Sequence, residues 1–151
     1  MKHLKTAVAM ILSLALVVPG AFAATDKEKA FTDAYKKAFE SKDAATLNGF
    51  LYTKGADPEI LGFYTMMMTS EMGSKISSIE LVDLTPEDLT RATAVQPLPS
   101  GQNAKLVLNP VKKLVIKIQN SDANGTSTSS SESFVAEHDG KFVIPVPGPV
   151  K

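Results

Sequence analysis

The 151-residue chain is predicted to be an α+β protein, with three N-terminal helices packed on an antiparallel sheet of about four strands. Three observations carry that expectation. Apolar residues recur at helical spacing between Asp26 and Met72, and beyond Ser74 the pattern changes to Ile, Val and Leu interleaved with polar residues. Near the end, Asp139-Gly140 marks a tight hairpin between two short apolar runs.

The first residues have a different logic. Lys2, His3 and Lys5 precede the uncharged run Thr6 to Val18, which is the order of regions in an export signal. Pro19-Gly20 breaks the apolar helix, and Ala21-Phe22-Ala23 sets small residues where a signal peptidase reads them. Residues 1–23 are therefore read as a cleaved signal peptide and 24–151 as a single α+β domain, periplasmic or secreted. An uncleaved anchor is the competing reading, because Thr6 to Ala24 approaches the roughly 20 residues that a bilayer requires. Pro19 and Gly20 shorten that run, so contact with a membrane is expected only through the uncleaved signal peptide. After cleavage 128 residues remain, with 14 basic against 16 acidic side chains, enough chain to bury a core.

Composition excludes several classes of function. The full chain balances 16 Lys and Arg against 16 Asp and Glu, so nothing electrostatic draws it to nucleic acid. With no cysteine there is no disulfide, thiolate nucleophile, Cys-ligated metal or lipidated thiol. No cofactor is implied: there is no Gly-rich phosphate loop, no serine in a nucleophile elbow and no paired-carboxylate motif.

Each helix follows from local chemistry. From Asp26 to Ser41, Ala30, Phe31, Ala34, Tyr35, Ala38 and Phe39 form pairs four residues apart among charged residues, predicting an amphipathic helix. Asp43 is positioned to cap a shorter second helix carrying Leu47, Phe50 and Leu51 on one face, weakened by Gly49. Asp57-Pro58-Glu59 combines a capping carboxylate, a first-turn proline and an acidic residue at the positive end of a helix. That helix is predicted through Ile60 to Met72, ending at Gly73.

The second half reads as strands. Ile76 to Leu84 is the first, and Thr85-Pro86-Glu87-Asp88 has the makings of a helical turn closed by a capping box. Ala92 to Asn103 is predicted to be a loop. Lys105 to Leu108 and Val111 to Gln119 are strand-like around Asn109-Pro110, where proline predicts a bulge, edge or bend. Leu114, Ile116 and Ile118 should face the core. After a turn at Asp122 to Gly125, the Ser/Thr run Thr126 to Ser133 is either a linker or a hydroxyl-rich strand, with strand favoured for its second half. The Asp139-Gly140 turn predicts pairing of His138 with Lys141, Glu137 with Phe142, Ala136 with Val143 and Val135 with Ile144. Val135, Phe142, Ile144 and Val146 then share the core side with Glu137, and the Pro-rich tail from Pro145 extends without regular pairing.

The Phe31/Tyr35/Phe39 stripe, the short helix around Leu47 to Leu51 and the run Lys75-Ile76-Ser77-Ser78-Ile79 together resemble the nuclear transport factor 2-like superfamily. The resemblance covers most of the chain beyond residue 23 and rests on the order of elements. It implies a cone-shaped fold whose curved sheet wraps the first helix around a pocket, a frame that serves enzymes, ligand binders and interaction modules alike. The chain departs from the enzymatic members in lacking an obvious Asp and His pair at pocket-facing positions.

Candidate functional residues are each weighed against a plain structural role. Tyr35, Phe39, Tyr64, Met68 and Phe142 are the candidate ligand-binding residues, because aromatic bodies with polar tips and pliable thioethers suit a mostly apolar pocket. As core and core-boundary residues they need no ligand. Glu137 is a candidate acid/base group if burial raises its pKa, and His138 is the only histidine left after cleavage; both sit near a hairpin tip that favours solvent. Met66, Met67, Met68 and Met72 contain soft donors suited to Cu(I), but three consecutive residues point in different directions around a helix, so core packing explains them better. Asn124-Gly125-Thr126 fits a glycosylation pattern and equally a turn. The leading expectation is a non-enzymatic domain binding a small apolar ligand or a protein partner in the concavity between helices and sheet. The alternatives are an acid/base enzyme using Glu137 or His138, and a structural module forming a homodimer through an exposed edge such as Val111 to Gln119.

Overall fold

The computed structural model describes residues 23–98 and 100–150. The signal-peptide reading of residues 1–22 lies outside the described residues. Among the described residues, four helices, α1 (Asp26–Glu40), α2 (Ala44–Asn48), α3 (Pro58–Thr69) and α4 (Pro86–Thr93), combine with eight strands in two sheets. The strands are β1 (Leu51–Tyr52), β2 (Lys75–Val82), β3 (Gln96–Pro97), β4 (Asn103–Leu106), β5 (Pro110–Asp122), β6 (Gly125–His138), β7 (Lys141–Pro145) and β8 (Pro147–Pro149). The fold is α+β, but with one more helix than expected and a second, three-stranded sheet of order β3-β4-β8 beside the main sheet β1-β7-β6-β5-β2.

Capping starts the helices where the sequence directs. Thr25 and Glu28 close a capping box on α1, and Thr85 and Asp88 close another on α4. The Asp43 carboxylate accepts from the Thr46 amide, and that of Asp57 accepts from the amides of Glu59 and Ile60 at 2.9 and 3.2 Å. The ends differ more from expectation. α2 stops at Asn48, and Phe50 and Leu51 leave the helix as the chain straightens, so that Leu51 pairs in parallel with Ile144. This makes the main sheet mixed rather than antiparallel. α3 stops at Thr69 instead of Met72, and residues 70–73 form a turn held by the Gly73 amide, which donates to the Phe39 carbonyl at 2.8 Å. Gly73 has φ of 88°, a backbone shape that glycine adopts without strain.

Register follows from the turns. Asp139 and Gly140 both have positive φ, and the ladder pairs His138 with Lys141, Glu137 with Phe142 and Ala136 with Val143 as predicted. It ends there, because the Ile144 amide turns to the Phe50 carbonyl at 2.7 Å rather than extending the β6 ladder to Val135. Pro110 sits at a register shift, the expected bulge. Val111 to Gln119 is not an edge, since β5 is paired to β2 on one side and β6 on the other; the edge strands of the main sheet are β1 and β2. The Ser/Thr run is strand along its whole length, because β5 offers a continuous partner from Leu114 to Asp122.

The expected loop Ala92 to Asn103 contains the end of α4 and the short strand β3, and the Pro-rich tail is paired. Proline lacks a donor but keeps its carbonyl, so β8 sits at the edge of the small sheet, with Lys105 opposite Gly148. The Pro147 carbonyl also accepts from the Asp57 amide at 3.0 Å, tying the tail to the start of α3.

The core lies between α1, α3 and the inner face of the main sheet. Phe31, Tyr35, Ala38 and Phe39 of α1 meet Leu114, Ile116 and Ile118 of β5, with Ile76, Val135, Ile144 and Val146 completing it. Val135, Ile144 and Val146 are buried as predicted, Phe142 is half-buried against Phe31, and Glu137 is exposed.

Two glycines test this packing in opposite directions. A Cβ on Gly148 would lie 1.9 Å from the Gly55 carbonyl oxygen, whereas one on Gly62, inside α3, would meet nothing within 4 Å. Gly148→Ala should therefore cost about 2–3 kcal/mol by forcing β8 off the Gly55 loop. Gly62→Ala should add about 0.5–1 kcal/mol by removing glycine's entropic cost in a helix. Urea unfolding of the two variants against the parent measures both signs.

Candidate functional site

The concavity of the fold is set by how β5 meets β6. The two-residue turn Ala123-Asn124 pairs Asp122 with Gly125, which places Leu114 opposite Ser133, Ile116 opposite Ser131 and Ile118 opposite Ser129. Directly opposed residues share a face. The inner surface of the sheet is therefore apolar along β5 and hydroxyl-lined along β6. Serine fills far less space than isoleucine, and a cavity of about 100 Å³ remains where α1 and α3 approach this boundary.

Tyr35, Phe39 and Met68 line that cavity, together with Met67, Glu71 and the β6 serines Ser131 and Ser133. Burial pushes the Tyr35 hydroxyl up to about 12, so it stays neutral at every ordinary pH. Met68 is buried, while Met67 is 42% exposed and sits at the mouth. The turn after α3 closes over the sheet through Glu71, whose Oε1 accepts from Ser129 Oγ at 3.0 Å and from Asn120 Nδ2 at 3.2 Å.

The other candidates lie elsewhere. Tyr64 faces a shallow depression between α4 and the small sheet, beside Arg91, Ala104 and Phe134, and its hydroxyl is also raised by burial. Phe142 packs edge-on against Phe31, with ring centroids 5.8 Å apart, and does not line the cavity. Glu137 is a surface group ion-paired with Lys27. His138 lies against the Tyr52 ring at 4.7 Å, with Asp139 at 3.3 Å from its Nε2. Thus three of the five candidate ligand-binding residues come together, and neither Glu137 nor His138 reaches the cavity. Of the methionines, Met66 points outward and Met72 falls in the turn beyond α3, so the four do not converge.

Two ionic clusters were not foreseen. On the outer face, Asp88, almost fully screened from solvent, accepts from Arg91 and from Lys113 Nζ at 3.2 Å, and Lys113 also reaches Glu132 at 3.2 Å. The Thr85 amide, then Arg91 and Lys113, hold the Asp88 carboxyl well below the usual carboxylate range. At the same end of β2, Lys112 joins Asp83 at 2.7 Å and Glu28 at 3.0 Å. Asp83, then Glu28, raise the Lys112 ammonium, and the Thr25 amide and Lys112 lower Glu28. Pairing Lys113 with Glu132 was derivable in outline, because the same turn that aligns the serines puts Phe134 opposite Lys113 and Glu132 opposite Val115.

Among the described residues no group of three or more His, Asp or Glu side chains gathers as a metal site, and no helix is long and apolar enough to cross a membrane. The chain matches no protein-family model, no curated protein and no solved structure.

The Asp88 cluster makes stability depend on pH. Its folded pKa lies below the unfolded value, so the stabilisation is whole above the ordinary Asp range and is lost as pH falls through the folded value. The thermal midpoint should decline on acidification below about pH 4. Asp88→Asn should start from a lower midpoint at neutral pH and decline less over that interval, which calorimetry across a pH series would reveal.

Proposed function

We propose that the protein is an exported, non-enzymatic α+β domain of the nuclear transport factor 2-like kind, holding a slender apolar ligand between α1, α3 and the sheet. Export rests on Lys2, His3 and Lys5 ahead of the uncharged run Thr6 to Val18, and on the small residues up to Ala23. The cysteine-free composition is compatible with it. The observation that carries the binding reading is the gathering of Tyr35, Phe39 and Met68 around one cavity with a hydroxyl floor.

The cavity's size sets what it can hold. At about 100 Å³ it is smaller than ordinary ligand pockets, which run from about 300 Å³. A narrow chain end fits such a space, and Met67 and Met68 each have three rotatable bonds with which to widen it. Tyr35, neutral throughout, and the serines offer hydrogen bonds without a charge, which suits an uncharged or weakly polar terminus.

A protein partner over the same mouth is the second reading. Phe63, Met66 and Met67 stand exposed at spacings of three and four along α3, an apolar stripe continuous with the cavity.

Native mass spectrometry of the protein, isolated gently from the compartment to which the cell exports it, tests both readings. The expected result is a chain beginning at Ala24 that carries an apolar adduct lost on denaturation. Met67→Glu, at the mouth, should abolish the adduct while leaving the fold intact. A bare monomer would overturn the ligand reading and leave the partner reading, which pull-down with Met66→Glu as control would then decide. A chain still beginning at Met1 would overturn export by cleavage.

A further inference from the structure

A second concavity, unrelated to the Tyr35 cavity, runs along the edge of the main sheet. β2 is the last strand on its side, and Ile79, Glu80, Leu81, Val82 and Asp83 all line a groove of about 650 Å³. Alternate residues of a strand point to opposite faces, so five consecutive lining residues mean that the strand's own backbone edge faces the groove. The opposite wall is Ala24 and Thr25 with Glu28 and Thr32 of α1, extended by Ala23 in the uncleaved chain.

The edge is closed in one half and open in the other. At its start the Ile76 amide donates to Glu40 Oε1 of α1 at 3.0 Å, and a register shift between Ile76 and Ser78 interrupts the strand. Both devices blunt an edge against pairing. From Ile79 to Val82 the ladder to β5 is regular, and among the described residues the backbone of Ile79 to Asp83 makes no hydrogen bond beyond that ladder.

Charge selects the occupant. Glu28, Glu80 and Asp83 line the groove against one cation, Lys112, which Glu28 and Asp83 already hold. Ile79, Leu81 and Val82 supply apolar surface between the acids. We propose that this groove takes an extended peptide segment of alternating basic and apolar residues, which adds a strand to the free half of β2. Main-chain hydrogen bonds to Ile79–Asp83 supply the affinity, and the excess of two carboxylates over Lys112 in the groove, with Glu80 outside the Lys112 cluster, selects lysine or arginine side chains.

The test uses the protein as isolated from cells and a fluorescent peptide of alternating lysine and valine spanning five strand residues. Fluorescence anisotropy should show saturable binding, and hydrogen exchange should show slowed amides confined to Ile79–Asp83. The same peptide N-methylated at alternate positions, which removes donors but keeps the side chains, should bind at least about tenfold more weakly. Glu80→Lys with Asp83→Lys should weaken the lysine probe by a similar factor and admit a glutamate-valine probe instead. Absence of binding, equal binding of the N-methylated peptide, or binding without slowed exchange at Ile79–Asp83 would each overturn the proposal. So would a dimer in the absence of peptide with those amides already protected, because a second copy would then own the edge.

Discussion

The contact between one face of α1 and β5 is what the remaining architecture depends on. Phe31, Tyr35 and Phe39 lie four residues apart, so they form a single stripe, and the stripe meets Leu114, Ile116 and Ile118 at the strand's period of two. Each aromatic ring withdrawn from water contributes about 1.5–3 kcal/mol, more than any exposed ion pair on this surface. Phe50 and Phe142 pack edge-on against Phe31 at 5.2 and 5.8 Å, so the strands at the far side of the sheet are anchored to the same helix. A helix placed this way leaves its neighbours little choice. α2 must turn back beside it, and α3 must cover what α1 leaves open.

What could be read from the sequence was whatever a few adjacent residues decide. Asp43, Asp57 and the Thr85/Asp88 box start helices through bonds to amides two or three residues away, and Asp139-Gly140 sets its hairpin through its own dihedrals. The misses share a different cause. Leu51 left the predicted helix because Ile144, more than ninety positions on, offered a parallel partner. The proline tail became a strand because β4 lies alongside it, with Lys105 opposite Gly148 and the Val150 amide donating to the Asn103 carbonyl, and Val111 to Gln119 lost its free edge to β2. Each depends on a partner distant in sequence, which local propensity does not carry.

The cavity was legible in part for the same reason. Helical spacing put Tyr35 and Phe39 on one face, and Met68 was a sound choice once α3 was placed over them. Tyr64 and Phe142 were drawn in by residue type alone, and type does not say which face a helix or hairpin presents. The floor was available but unread: the turn at Ala123-Asn124 already implied that Ser129, Ser131 and Ser133 face the core beside Ile118, Ile116 and Leu114. The hydroxyl-rich run alternates between faces, so every second serine from Ser129 to Ser133 lies on the side of Ile118, Ile116 and Leu114.

That inward run explains why a void lies there between α1, α3 and β5. Replacing β-branched residues by serine on the inner face removes volume that α1, held by its aromatic stripe, cannot move to fill. α3 compensates with methionine, the side chain best able to follow an uneven surface, and Glu71 satisfies Ser129 where apolar packing gives out. Tightly packed interiors rarely leave hydroxyls beside unfilled space, because isoleucine at the same positions would gain both burial and contact. Ser133 therefore gives up packing energy on the inner face of the strand, while Ser131, exposed beside Met67, keeps its hydroxyl in water.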